Sequence, residues 1–227
     1  MAEPHATVEA IFFDFDGVLV DSVAIKRRAF EEVIAPLAGP MLPECMAFFM
    51  TQGGVSRLLK FRHVWSEILK KNPCEESAQR LAEEFALRVF ERTCSARPIP
   101  GANEFLDRYA RTIPCYVISG TPEKELRAII DRRSMTSYFR GAFGSPASKV
   151  EIGRQLLQAE RLSPERVSFV GDATTDRDAA RQLAVRFIGL HGPHLSPYLD
   201  GSEEMIDDLC SLDQVLWNVS APAPLPT

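Results

Sequence analysis

Asp14 and Asp16 stand two residues apart in Phe12-Phe13-Asp14-Phe15-Asp16-Gly17-Val18, directly after an apolar run and directly before a glycine. Successive side chains on an extended chain point to opposite faces, so residues i and i+2 point the same way. Both carboxylates can therefore approach one point. Gly17 lets the chain turn sharply beside them. An Asp-x-Asp pair alone also suits a solvated turn or a helix cap. Two acids left at a hydrophobic strand end are costly without a cation, which makes metal binding the sharper reading.

Three further segments carry reactive residues. Ser119-Gly120-Thr121-Pro122 follows an apolar run. Proline suits the first turn of a helix, and hydroxyls with free backbone N–H groups there form an anion site, here from Ser119, Gly120 and Thr121. A plain helix cap is the alternative. Lys149 follows Gly144-Ser145-Pro146-Ala147-Ser148 at a strand-to-helix junction. A lysine in the first turn of a helix opposes the helix dipole, so an anionic partner would explain its place; a solvated surface lysine is the alternative. In Gly171-Asp172-Ala173-Thr174-Thr175-Asp176, Asp172 falls at a strand tip and Asp176 one turn into the next helix. N-terminal capping is the competing role there.

Combined, these segments deliver four carboxylates, one lysine and a cradle of donors to one edge of a sheet. Such a cluster does not stay ionised without a divalent cation, and hard oxygen ligands with room for water favour Mg²⁺. Asp14, Asp16, Asp172 and Asp176 are the candidate ligands. A metal beside an anion cradle fits phosphoryl transfer, where catalysis is mostly positioning and charge neutralisation. A carboxylate nucleophile is adequate for that chemistry and forms an aspartyl-phosphate.

The elements that must position these groups alternate. Val8 to Phe13, Pro114 to Ser119, Gly141 to Gly144, Val167 to Gly171 and Val185 to Leu190 read as strands. Phe105 to Arg111, Pro122 to Arg133, Ala147 to Glu160 and Thr175 to Leu183 read as helices between them. This predicts an α/β fold with a Rossmann-like parallel sheet covered on both faces. Between Ser22 and Arg97 the spacing is helical: Ile25, Ala29 and Val33; then Leu58, Phe61, Trp65 and Ile68; then Leu81, Phe85 and Val89. Pro36, Gly39, Pro40 and Pro43 are expected to end the first of these helices. The chain thus divides into an α/β core, 1–20 and 98–227, and an inserted all-α block, 21–97. Residues 220–227, rich in proline and alanine, are expected to be a disordered tail.

The chain has 227 residues, a formal net charge of −5 and no basic block, which argues against a nucleic-acid partner. No apolar run reads as long enough to span a bilayer. Met1-Ala2-Glu3-Pro4-His5 has neither the basic nor the apolar region of a secretory signal. Cys45, Cys74, Cys94, Cys115 and Cys210 are odd in number and show no Cys-x-x-Cys spacing, so neither a disulfide framework nor a zinc site is expected. A cytoplasmic protein is the expectation, and the oligomeric state is open.

The order of these motifs, Asp-x-Asp-Gly, Ser-Gly-Thr, Lys and Gly-Asp-x-x-x-Asp, resembles the haloacid dehalogenase superfamily across nearly the whole chain. The helical block resembles that family's small α-helical cap. The resemblance implies that Asp14 is the nucleophile attacking phosphorus and that Asp16 is the acid/base, its backbone carbonyl also binding Mg²⁺. Asp172 would complete the protein's metal ligands and Asp176 would support them. Ser119 and Lys149 would hold the phosphoryl oxygens. An aspartate at position 16 is similar to the phosphatase and phosphomutase branches, not to the dehalogenases or the phosphonate-cleaving members.

Gly53-Gly54-Val55-Ser56-Arg57 resembles the specificity loop of β-phosphoglucomutase, which places Gly54, Arg57 and Lys60 near the substrate. Arg57 and Lys60 would contact a phosphate or an acidic sugar. The alternative is a solvated face of the second cap helix, which is the preferred reading for Lys60. The mutase histidine in the first cap helix is matched here by Lys26, which favours hydrolysis. The expected activity is therefore a Mg²⁺-dependent phosphatase acting on a small phosphorylated metabolite. A sugar-phosphate mutase is the runner-up and a non-catalytic binding protein the third reading.

Overall fold

Every side chain of the first strand, β1 (Ala10–Phe13), is buried, because the strand lies inside a sheet covered on both faces. The computed structural model describes residues 8–198 and 201–217. The N-terminal residues that carry no signal pattern and the expected tail, 220–227, lie outside them. Five further strands, β2 (Cys115–Pro122), β3 (Gly141–Ser145), β4 (Val167–Gly171), β5 (Arg186–Leu190) and β6 (Glu204–Ile206), join β1 in the order β3-β2-β1-β4-β5-β6. All the pairings are parallel.

The period-two pattern of the strands divides the core. Ile11 and Phe13 of β1, with Cys115 and Val117 of β2, pack against α5 (Ala102–Tyr109), α6 (Glu123–Arg132) and α9 (Leu212–Trp217). Ala10 and Phe12, with Tyr116 and Ile118, face α7 (Lys149–Ala159) and α8 (Thr174–Leu183). Phe12 and Phe13 are fully buried on opposite faces, and each contributes about 1.5–3 kcal/mol through burial. The α/β core with a parallel sheet is as the sequence predicts. β6 and α9 were not expected: a three-residue strand and a six-residue helix are too short to show a period.

The inserted block is helical, with a core of its own: α1 (Val23–Ala38), α2 (Leu42–Thr51), α3 (Arg57–His63) running into a π-helical turn, Val64–Ile68, and α4 (Glu75–Cys94). Phe30, Phe49, Phe61 and Phe85 meet at its centre. Two proline expectations need correcting. Pro36 does not end α1, which continues to Ala38: the missing N–H removes one bond, to the Glu32 carbonyl, while the helical path continues for two more residues. Pro43 does not break a helix but opens α2, where a proline N–H has no partner to lose.

Val23–Thr51 is apolar and long enough, by count, to be a candidate membrane span. It is not one continuous rod. The chain folds back at Gly39, and Phe30 of α1 stacks on Phe49 of α2 with centroids 4.4 Å apart. Its apolar side chains make the centre of the cap.

Candidate active site

The strand order decides where the reactive groups meet. β2 and β4 flank β1: the chain runs outward from β1 through β2 to β3, then crosses back to β4 on the other side of β1. The C-terminal ends of these strands therefore border a crevice at a topological switch point. Asp14 follows β1, Ser119 and Thr121 sit at the end of β2, and Asp172 follows β4. Lys149 opens α7, just beyond β3.

Lys149 is buried between two carboxylates, 3.0 Å from Asp14 Oδ2 and 2.5 Å from Asp176 Oδ1. Its place in a first turn is thereby explained. Ser148 and Glu151 form a capping box that fixes the start of α7. Burial disfavours the Lys149 charge, but the attraction of Asp14 and Asp176 outweighs it and raises the pKa. Asp14 is 3% exposed, and its Oδ1 accepts the Phe15 N–H at 2.7 Å.

Asp14, Asp172 and Asp176 are buried and present ligand oxygens within 4.8 Å of one another. Burial, then Asp14 and Asp176, push the Asp172 carboxyl well above its usual range. Burial raises Asp176 to about 7 against the pull of Lys149. One lysine thus faces three carboxylates, and this charge deficit, with hard oxygen donors, fits a divalent cation. Gly17, at φ +86°, permits the approach, since a Cβ there would lie 2.2 Å from Asp172 Oδ2. Asp176 also accepts the Ala173 N–H at 3.1 Å, so it caps α8 and holds Lys149 at once.

The Asp16 carboxylate stands apart from that trio. Ser22 Oγ donates to its Oδ1 at 2.6 Å, and Thr121 Oγ1 donates to its Oδ2 at 3.0 Å. Lys26 Nζ lies 2.5 Å from the same Oδ2 and donates to Thr121 Oγ1 at 2.9 Å. Burial alone would raise the Asp16 pKa; the charge of Lys26 and the three donors outweigh it and lower the pKa. Lys26 was singled out in the sequence; Ser22, four residues before it at the start of α1, was not, and that spacing could have revealed it as a second partner of Asp16.

Ser119 is buried, and its Oγ accepts the Thr121 N–H at 3.2 Å. The segment Ser119–Thr121 remains extended as part of β2, and Pro122 precedes α6 where the sequence placed it in the first helical turn. The cradle is therefore the strand end, not the helix start, whose first turn carries Glu123 and Glu125.

The cap closes over these groups. A Cβ at Gly120 would lie 2.2 Å from the Gly54 carbonyl oxygen, so two glycines bring the backbones together. Thr175 Oγ1 donates to the Gly53 carbonyl at 2.9 Å, and His194 Nδ1 bonds the Met50 carbonyl at 2.7 Å. Arg57 Nη2 lies 2.5 Å from Glu125 Oε1, a pairing between α3 and α6. Lys60 does not lie on a solvated face: it is 8% exposed, lines the cavity with Asp14 and Asp16, and sits 4.5 Å above the Phe49 ring. Glu125 and His194 escaped sequence reading because no motif or periodicity marks them; only the docking of the cap gives them partners.

A family model for haloacid dehalogenase-like hydrolases matches residues 8–183. The chain belongs to that family. Among this hydrolase's relatives, the phosphoglycolate phosphatase of Pseudomonas putida is 24% identical over 92% of this chain and 80% of its own. The phosphorylated carbohydrates phosphatase of Thermotoga maritima is 26% identical over 80% of this chain and 84% of its own. The structure of CbbY from Rhodobacter sphaeroides, solved with xylulose-(1,5)bisphosphate, superposes with a TM-score of 0.72 at 19% identity, over 91% of this chain and 96% of that one. At that identity the likeness concerns the fold.

Proposed function

We propose that this hydrolase is a Mg²⁺-dependent phosphatase of small phosphomonoesters that works through an aspartyl-phosphate on Asp14. The observation that carries the reading is the buried Asp14 carboxylate, paired with Lys149 and grouped with Asp172 and Asp176 at the sheet edge. Asp14, Asp172 and the Asp16 backbone carbonyl would hold the metal, with Asp176 behind them; the ion would neutralise phosphoryl charge when bound. The relatives that act on phosphoglycolate and phosphorylated carbohydrates support the substrate class.

In the first step an Asp14 oxygen attacks phosphorus, the ester P–O bond breaks, and Asp16 hands a proton to the departing oxygen. Ser119, the backbone around Gly120 and Lys149 hold the phosphoryl oxygens. In the second, Asp16 takes a proton from water, which attacks phosphorus and breaks the bond to Asp14, releasing phosphate. Asp16 must start protonated for the first step; Lys26, by lowering its pKa, favours surrender of that proton to the departing oxygen and keeps the carboxylate that the water-activating step then uses. Residues 21–97 act as the cap, closing over the substrate and excluding bulk water.

Phosphate release from an aryl phosphate and a panel of small phosphomonoesters, with and without Mg²⁺, tests the reading. Asp14→Asn should lower kcat by about 10³-fold or more while the circular dichroism spectrum is kept. Full Mg²⁺-dependent activity in that variant would overturn the mechanism. Conversion of hexose 1-phosphates to their isomers without free phosphate would indicate a mutase.

A further inference from the structure

We infer that Lys60 selects substrates with a second anionic group, and that this enzyme's substrates are short phosphomonoesters with a carboxylate or phosphate at the end opposite the reacting phosphoryl. The inference rests on the phosphatase reading of Asp14 and deepens it.

Lys60 reaches the cavity from α3, on the cap side, and is 8% exposed. Among the described residues, no hydrogen bond or ion pair holds its ammonium; its close partner is the Phe49 ring. Phe61 and Phe85 extend that apolar wall. A ring face offsets part of the lost hydration of an ammonium, not all of it. The surrounding charges make matters worse: Lys26 on α1, Lys149 on α7 and Arg57 on α3 repel Lys60, and Asp16 favours its charge. An ammonium buried among other cations lacks an anion that a ligand can bring.

Arg57 does not fill that role on equal terms. Glu125 already binds its Nη2, and its guanidinium lies over the Phe85 ring. Its Nη1 is buried with no partner, leaving one donor three residues from Lys60 on the same helix face. The reacting phosphoryl has its own holders on the core, Ser119 and Lys149, so the anion taken by the cap is a different one. The cavity between cap and core is small, about 70 Å³, which suits a short chain.

The test is phosphate release from a matched two-carbon set: 2-phosphoglycolate, ethylene glycol bisphosphate, 2-hydroxyethyl phosphate and phosphoethanolamine. The wild-type protein should favour one or both anionic members over the neutral one by at least about tenfold in kcat/KM, with the cationic member poorest. Which anionic member leads tells carboxylate from phosphate. Lys60→Met should collapse that ratio mainly through KM, and Lys60→Arg should restore part of it. Lys60→Gln serves if the methionine variant does not fold. No anionic preference in the wild type, or an equal loss on all four substrates in the variants, overturns the inference and leaves the phosphatase reading standing. No phosphate release from these or from an aryl phosphate overturns that reading, and this inference with it.

Discussion

Lys26, carried by the first cap helix, places its ammonium 2.5 Å from Oδ2 of Asp16 on the core. The same nitrogen donates to Thr121, so one cap residue binds both the proposed acid/base and the end of β2. Lys26→Met should lower phosphate release about tenfold. It should also move the basic limb of the kcat/KM profile, where Asp16 loses the proton that the first step needs, to higher pH, since the charge that lowers the Asp16 pKa is gone. An unmoved limb would show that Lys26 does not set the Asp16 ionisation.

Mg²⁺ should stabilise the fold, by about 2.7 kcal/mol at a hundred times its Kd. The carboxyl of Asp176 is raised from 3.8 to about 7, and that of Asp172 is raised as well. With both raised, the native state holds more protons than the unfolded chain between those values. Metal-free stability from these groups therefore falls as pH rises from 3.8 towards about 7. The Mg²⁺-induced rise in Tm should grow over the same range, because protons leave the ligands. Thermal melts at several pH values check this, and Asp172→Asn should remove most of the metal-induced shift.

Lys60 adds a pH signature of its own. Burial, then Lys26, lower its pKa to about 7. Lys26, Asp16, Lys149, Arg57 and His194 are the charged and titratable groups that act on it. Below about 7 the ammonium is charged and holds an anionic group; as pH rises through 7 that hold is lost. The ratio of kcat/KM for 2-phosphoglycolate to that for 2-hydroxyethyl phosphate should fall accordingly, while ionisations shared by both substrates cancel. A flat ratio would remove Lys60 from anion recognition.

Gly120→Ala should hinder closure without unfolding the core. The added Cβ would meet the Gly54 carbonyl oxygen at 2.2 Å, and backbone against backbone cannot give way cheaply. KM should rise and kcat fall, together by about 10²-fold in kcat/KM, with little change in Tm. Steady-state kinetics beside a thermal melt separate closure from stability.

Asp14, Asp16, Ser119 and Asp172 were readable in the sequence because each lies at or just past the end of an apolar strand, and Lys149 and Asp176 because each lies in the first turn of the helix that follows a strand. A parallel sheet sends all such ends to one edge. Lys149 was readable for a second reason, its place against a helix dipole, and Asp14 and Asp176 supplied the expected anions. Pro36 and Pro43 were misread because a proline signals a helix boundary without saying on which side of it the helix lies. The sequence by itself determined the fold class and singled out the residues proposed for the core chemistry, since both follow from local periodicity and strand-end placement. Only the tertiary structure decided what faces that chemistry. Lys26 on Asp16, Arg57 on Glu125, and Lys60 buried over Phe49 all depend on how the cap docks. That docking is set by long-range packing of side chains and by close glycine contacts, which leave no period in the chain.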